Sequence, residues 1–144
     1  MTNTEPFAKY FTLEEAVKSL PSVKEALAIA HKQMDELRDS VILSKRLLLV
    51  KQGSGRVPSD AEVAVLQEKF EGFEEALTRW VDYFGQQGII LRDLDTGLID
   101  FPYHSETTGQ DYFLCWRLNE DGIFYFHSIN EGFAGRYPIT LLPE

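Results

Sequence analysis

The chain of 144 residues contains one cysteine, no lysine in residues 88–144 and no long uninterrupted apolar run. An internal disulfide is impossible with Cys115 alone, which favours a reducing compartment. A membrane-spanning helix needs about 18 consecutive apolar residues, and no segment supplies them. The first eleven residues also lack the apolar stretch of a secretory signal. We therefore predict a cytoplasmic protein without a membrane segment.

The charge is acidic and unevenly distributed. The formal net charge is −9, and residues 88–144 hold three arginines against nine aspartates and glutamates. A nucleic-acid-binding surface must be basic to displace counterions from phosphates. An anionic membrane surface would repel this segment for the same reason. The composition predicts neither nucleic acid nor membrane as a partner.

The length and the 44% hydrophobic content are typical of one globular domain. We predict a single domain over residues 1–144. Residues 1–87 form its helical part, and residues 88–144 form a β-meander with a C-terminal loop.

Two capping boxes mark helix starts. Thr12 precedes Glu15 by three residues, and Ser59 stands in the same relation to Glu62. A short helix after Thr12 is predicted to end near Leu20, because Pro21 lacks an N–H and suits the first turn of a new helix.

Apolar residues then recur at alternating spacings of four and three, the pattern of a helix packed along another helix. The turn at residues 52–58 separates two such helices, and a short connection makes them antiparallel neighbours. We predict a long antiparallel helical hairpin. The pattern comprises Val23, Leu27, Ala30, Met34, Leu37, Val41 and Leu48, then Val63, Leu66, Phe70, Phe73, Leu77, Trp80 and Phe84.

The second helix is rich in aromatic residues, more than one partner helix requires. Part of this surface is expected to contact the sheet or a second subunit. The residues are Phe70, Phe73, Trp80, Tyr83 and Phe84.

In residues 88–144, short segments rich in apolar and aromatic residues, whose side chains would alternate between two faces, are separated by turn residues, as in a series of short strands. The predicted strands are Ile89–Asp93, Leu98–Phe101, Tyr112–Leu118 and Ile123–His127. The fold class is therefore α+β, a long antiparallel helical hairpin packed with a small C-terminal antiparallel β-meander.

Six polar residues at strand ends or in the following loop are candidates for a site: Asp93, Asp100, Arg117, His127, Glu131 and Arg136. In one interpretation, His127 with Asp100 and Glu131 binds a metal or acts as an acid–base pair, and Arg117 or Arg136 binds an anion. In the other, which we favour, these charges form an ion-paired network that stabilises the sheet. No cofactor is clearly indicated.

Other motifs are interpreted structurally. Asp95-Thr96-Gly97 matches the aspartic-protease triplet, but its flanking residues do not, so we predict a hairpin turn. Cys115 is predicted to be a small core residue, because it has no neighbouring cysteine or base in sequence. His31 and His104 are predicted to face solvent.

The chain resembles the prokaryotic family called domain of unknown function 2203. The matching blocks are residues 10–16, residues 91–102 and residues 114–120, followed by His127 and residues 132–136. Family members often have tryptophan before the histidine, where this chain has Phe126. The resemblance implies a helical-hairpin-plus-sheet domain in bacterial-type cytoplasm and implies no activity.

Two functions of different classes remain open. The first is a protein-interaction or scaffold module whose hairpin dimerises or binds a partner. The second is a small enzyme or ligand-binding protein with a polar site on the β-meander. We favour the interaction module.

Overall fold

The computed structural model describes residues 7–144. Two long helices are followed by a five-stranded antiparallel sheet whose strands lie side by side in chain order. This confirms the predicted α+β class. The elements are α1 (Leu13–Gly53), α2 (Asp60–Gln86), β1 (Ile90–Asp93), β2 (Leu98–His104), β3 (Asp111–Trp116), β4 (Tyr125–Ser128) and β5 (Tyr137–Pro138), with 3-10 turns at Phe133–Gly135 and Ile139–Leu141.

Both predicted capping boxes are present. The Thr12 hydroxyl accepts from the Glu15 N–H at 3.1 Å, and the Glu15 carboxylate accepts from the Thr12 N–H at 2.9 Å. Ser59 and Glu62 make the same reciprocal pair, at 3.2 and 3.1 Å. Each box satisfies two backbone donors that the first turn of a helix leaves without an intrahelical partner.

The predicted helix end before Pro21 is wrong, because α1 continues through it. A proline inside a helix removes one hydrogen bond and costs about 3 kcal/mol. Pro21 is exposed, whereas Ala16, Leu20 and Val23 on either side of it are buried. Burial of this face on both sides of Pro21 outweighs the local cost.

The strands differ from the predicted ones at their ends. Strand β2 continues past Phe101 to His104, and β4 begins at Tyr125 rather than Ile123. The two-residue β5 was not predicted, since two residues carry no alternation. Pro102 fits inside β2 because it lies beyond the last residue that pairs with β1, so its missing N–H removes no hydrogen bond between these strands. Its carbonyl, on the same edge, accepts a hydrogen bond from the Phe11 N–H at 2.7 Å.

The chain forms two compact units. The sheet unit comprises the described residues up to Leu27 together with Val81–Glu144, and the hairpin unit comprises Ala28–Trp80. No helix in residues 7–144 is long and apolar enough to cross a membrane.

The sheet unit has a dense core. One face of the sheet carries Ile99, Phe101, Leu114 and Trp116, all fully buried. Phe11 packs edge-on against Phe101, with 5.0 Å between the ring centroids. Phe84 of the aromatic surface is also fully buried in this unit. Apolar burial on this scale is the main stabilising contribution to a domain.

The hairpin unit buries much less. Of its residues, only Ala30, Met34, Ser44 and Ala76 are buried. The helices are joined by polar contacts as well, including a 2.8 Å hydrogen bond from Lys69 to Ser44 and an ion pair between Lys51 and Glu62. The other predicted contact residues of this unit are only partly buried or exposed: Leu37, Val41, Leu48, Val63, Leu66, Phe70, Phe73, Leu77 and Trp80.

Candidate functional site

The register of three neighbouring strands brings Asp100, Cys115 and His127 together. Asp100 of β2 pairs directly with Cys115 of β3, and His127 of β4 pairs with Phe113, two residues from Cys115. Because residues two apart share a face of a strand, all three side chains lie on one face of the sheet. None of the three residues is more than 2% exposed.

Hydrogen bonds orient the imidazole and the carboxylate. His127 Nε2 lies 3.1 Å from Asp100 Oδ1, and His127 Nδ1 lies 2.8 Å from the Ser128 carbonyl oxygen. A carbonyl only accepts, so Nδ1 carries a hydrogen and Nε2 points at the carboxylate. The second oxygen of Asp100 accepts from Arg92 Nε at 2.8 Å.

The environment of the cluster changes two pKa values. Burial raises the pKa of the Cys115 thiol to about 12, and the negative charge of Asp100 adds to this effect. Burial alone would lower the pKa of His127, but hydrogen bonds to Asp100 and Ser128 and the charge of Asp100 outweigh it. The net pKa of His127 is above its ordinary value of 6.5. Because its pKa is so high, Cys115 is a neutral thiol near pH 7 and a poor nucleophile.

A pocket of about 370 Å³ opens beside the cluster. Asp100, Cys115 and His127 line this pocket, together with Arg92, Glu131 and Phe133. Glu131 is exposed and accepts a 3.0 Å hydrogen bond from the Ser128 hydroxyl. The arrangement places nitrogen, oxygen and sulfur donors beside a space large enough for a small ligand.

A family model described as an uncharacterised conserved protein family, DUF2203, matches residues 9–139. The chain belongs to the DUF2203 family. No curated protein and no solved structure matches the chain.

In the structure of this DUF2203 protein, three of the six candidate residues line one pocket and the other three have different contacts. Asp100 and His127 are in direct contact, and Glu131 lines the same pocket. Sequence reasoning missed Arg92 and treated Cys115 as core alone. Both share a face with Asp100, but only the strand register, which pairs Ile90 and Cys115 with Asp100, reveals this.

The other three candidates have different contacts. Asp93 accepts a 2.6 Å hydrogen bond from Thr96 in the β1–β2 turn. Arg117 donates to Asn119 at 2.9 Å, and its guanidinium lies 4.9 Å from the centroid of the Phe133 ring. The turn between β1 and β2 also contains the Asp95-Thr96-Gly97 triplet. Gly97 has a φ of +65°, and a Cβ there would be 2.7 Å from that of Leu118.

Arg136 forms a partly buried ion pair with Glu120 rather than an open anion site. Its Nη2 donates to both oxygens of Glu120, at 2.7 and 2.8 Å. The guanidinium also stacks 4.0 Å from the centroid of Tyr125 and 4.4 Å from that of Phe133. The carboxylate of Glu120 already neutralises this arginine.

The prediction that His104 faces solvent is wrong. Its Nδ1 lies 2.7 Å from Asp111 Oδ1, and the side chain is 32% exposed. The other oxygen of Asp111 accepts from the Tyr10 hydroxyl at 2.8 Å. His31, in the hairpin unit, is partly buried as well. The partners of His104 include Asp111 in β3 and the ring of Tyr10, and only folding brings these residues next to it.

A second candidate surface lies on the hairpin unit of the DUF2203 chain. Leu43, Leu47 and Val50 of α1 are 58%, 55% and 70% exposed. Their spacing of four and three residues places them on one side of the helix, and we call them the outer stripe. The contacts between the helices of this unit use a different side of α1, which includes Ser44 and Lys51.

Proposed function

We propose that this DUF2203 protein is a protein-interaction module whose helical hairpin binds a second copy of the chain. The observation that carries the proposal is the outer stripe, three large apolar side chains at helical spacing that are each more than half exposed. Contiguous exposed apolar side chains of this kind are typical of interaction sites.

The small core of the hairpin unit supports the need for a partner. Two helices alone bury little apolar surface, and most helical stability in proteins comes from packing of an apolar face. Four of this unit's residues are buried, and one of them is the polar Ser44. Two hairpins packed together make a four-helix bundle, in which each apolar face is covered.

Helix α2 contributes to the same face of the hairpin. Val65, Glu68, Gly72 and Glu75 follow one another at spacings of three and four, and Val65 is 48% exposed. A Cβ on Gly72 would meet no heavy atom of the described chain within 4 Å. Glycine inside a helix costs about 1 kcal/mol relative to alanine. Packing within the chain therefore does not require a glycine at position 72. Close approach of a helix from the second copy would explain why the residue there has no side chain.

The charges favour a second copy as the occupant. Residues 40–58 hold four lysines and arginines and no acidic residue, and residues 59–76 hold six acidic residues and one lysine. A two-fold axis makes each surface patch meet the corresponding patch of the partner. If the two-fold axis runs along the hairpin, the two tips lie at the same end and α1 of each copy faces α2 of the other. The basic segment of each copy then lies along the acidic segment of the other, so the surface is self-complementary.

The first experiment compares Leu47→Ser with Leu49→Ser. The two leucines are 55% and 56% exposed, but Leu49 lies outside the outer stripe. We expect the mass of the parent protein in solution to rise to that of a dimer with concentration. Leu47→Ser should weaken this association at least tenfold, and Leu49→Ser should leave it nearly unchanged. A parent protein that stays monomeric at every concentration would overturn the proposal.

The second experiment exchanges charges between copies. Arg46 is next to Leu47 and flanks the outer stripe, and Glu68 of the acidic segment lies at the same level along the hairpin, because Ser44 contacts Lys69. Arg46→Glu and Glu68→Lys should each weaken self-association, and an equal mixture of the two variants should form a heterodimer. Lys45→Glu makes the same charge change on the other side of α1 and is the matched control. Failure of the mixture to associate more tightly than either variant alone contradicts the two-fold arrangement.

The proposal includes a cytoplasmic location, consistent with the single cysteine, and no nucleic-acid partner, consistent with the acidic sheet unit. Ligand binding or catalysis at the β-meander is the second candidate function. It is supported by the buried Asp100–Cys115–His127 cluster beside a pocket that also includes Glu131.

A further inference from the structure

We infer that Asp100, Cys115 and His127 form a site for one divalent transition-metal ion of the zinc type. Each residue offers one ligand atom, and the carboxylate oxygen, imidazole nitrogen and thiol sulfur all lie within 4.8 Å of one another. The inference is independent of the hairpin interface, because it concerns only residues of the sheet unit.

The spacing of the ligand atoms fits a small metal ion. Zinc binds nitrogen and oxygen at about 2.0–2.1 Å and sulfur at about 2.3 Å in tetrahedral geometry. Two nitrogen or oxygen ligands of one tetrahedral zinc are therefore about 3.3 Å apart. His127 Nε2 and Asp100 Oδ1 are 3.1 Å apart. The distance between these two atoms already matches that of two ligands of one ion.

The surrounding hydrogen bonds are those of a metal-binding histidine. His127 Nδ1 donates to the Ser128 carbonyl, so Nε2 is the ring nitrogen left to bind an ion. Metal-binding histidines regularly fix their second ring nitrogen in this way, and metal-binding carboxylates are themselves hydrogen-bonded. Arg92 holds the second oxygen of Asp100 at 2.8 Å. A metal ion would displace the Nε2 proton that faces Asp100, because a coordinating imidazole must be neutral.

The donor set selects the class of metal. Nitrogen, thiolate and carboxylate suit zinc and similar first-row ions, whereas magnesium and calcium prefer oxygen alone. A bound ion deprotonates a coordinating thiol, so Cys115 becomes a thiolate despite its burial. Thiolate and carboxylate together balance the two positive charges of the ion.

The pocket leaves one side of the cluster open. Three protein ligands with a fourth position for water or a small ligand are the arrangement of a catalytic zinc site, rather than of a closed structural one. Glu131 lines this pocket beside the cluster.

The test uses Co²⁺ and Zn²⁺ added to the purified full chain after treatment with a chelator. Co²⁺ should bind one per chain and produce the near-ultraviolet charge-transfer band of a cobalt–thiolate bond, since Cys115 is the only cysteine. A folded protein that binds no Co²⁺, or binds it without this band, overturns the inference. This readout needs no variant, so it holds even if a substitution impairs folding.

Variants then locate the ion. Cys115→Ser should abolish the band, and His127→Gln should weaken Zn²⁺ binding at least tenfold in competition with a chromogenic chelator. His104→Gln is the matched control, because His104 lies on β2 and contacts Asp111 rather than this cluster. Equal losses of affinity in His104→Gln and His127→Gln, or a band that persists in Cys115→Ser, would contradict the site.

Discussion

The sheet unit and the hairpin unit are stabilised differently. The sheet unit buries large aromatic and aliphatic side chains in its helices and strands. It also holds charged groups in pairs that are largely shielded from water, such as Arg136 with Glu120. The hairpin unit buries four residues and leaves its outer stripe in water. The sheet unit therefore supplies its own core, whereas the hairpin unit does not, and this difference is the reason we propose that a second copy covers the hairpin.

The largest expected effect is a core truncation in the sheet unit. Phe101→Ala removes a fully buried ring and should lower the free energy of unfolding by about 3–5 kcal/mol. Leu48→Ala, at a partly buried position of the hairpin unit, should cost less than about 2 kcal/mol because water already reaches the site. Urea denaturation measures both.

The same denaturation curves test whether residues 1–144 behave as one domain. A single transition, seen with both aromatic fluorescence and helical circular dichroism, is the expected result for one cooperative unit. Similar costs for Phe101→Ala and Leu48→Ala would remove the contrast between the units.

The next effect concerns the partly buried ion pair between Arg136 and Glu120. Glu120→Gln leaves the Arg136 guanidinium without a counterion, although its side chain is only 11% exposed. The Nε of Arg136 already has no acceptor among residues 7–144. Breaking such a pair costs about 3 kcal/mol. Asp121→Asn changes the same charge at an exposed neighbour and should stay within about 0.5 kcal/mol of the parent. Equal stabilities of the two variants would show that the pair contributes nothing.

The smallest expected effects are at the helix caps. Thr12→Ala removes the side-chain acceptor for the Glu15 N–H and should cost about 1 kcal/mol of unfolding free energy. Ser59→Ala makes the matched change at the start of α2 in the hairpin unit. If the contrast between the units extends to their helix starts, Thr12→Ala lowers the melting temperature more than Ser59→Ala.

The first cap should also respond to pH. The hydrogen bond from the Thr12 backbone N–H, followed by that with its side chain, holds the pKa of Glu15 below its ordinary value of 4.5. The folded state therefore favours the carboxylate. Its contribution to stability is present above pH 4.5 and is lost as the pH falls through the lower, folded-state pKa. The difference in melting temperature between Glu15→Gln and the parent should shrink in acid, and a difference independent of pH would contradict this role.

Much of the fold follows from short stretches of sequence. The reciprocal pairs Thr12–Glu15 and Ser59–Glu62, the break at residues 52–58 and the turn at Gly97 each depend on residues close along the chain. Steric limits and local hydrogen bonds determine such features, so their signals are readable without the structure. The α+β class was predictable for the same reason.

The tertiary structure decided which side chains meet. Pro21 stays within a helix because residues on both sides of it are buried. Arg136 pairs with Glu120, which lies 16 residues earlier in the sequence. The cluster of Asp100, Cys115 and His127 depends on the register of three strands. A shift of one residue would move each side chain to the opposite face. The sequence alone determined most of the elements and the caps of both long helices, and only packing of the whole sheet determined the register that assembles the candidate site.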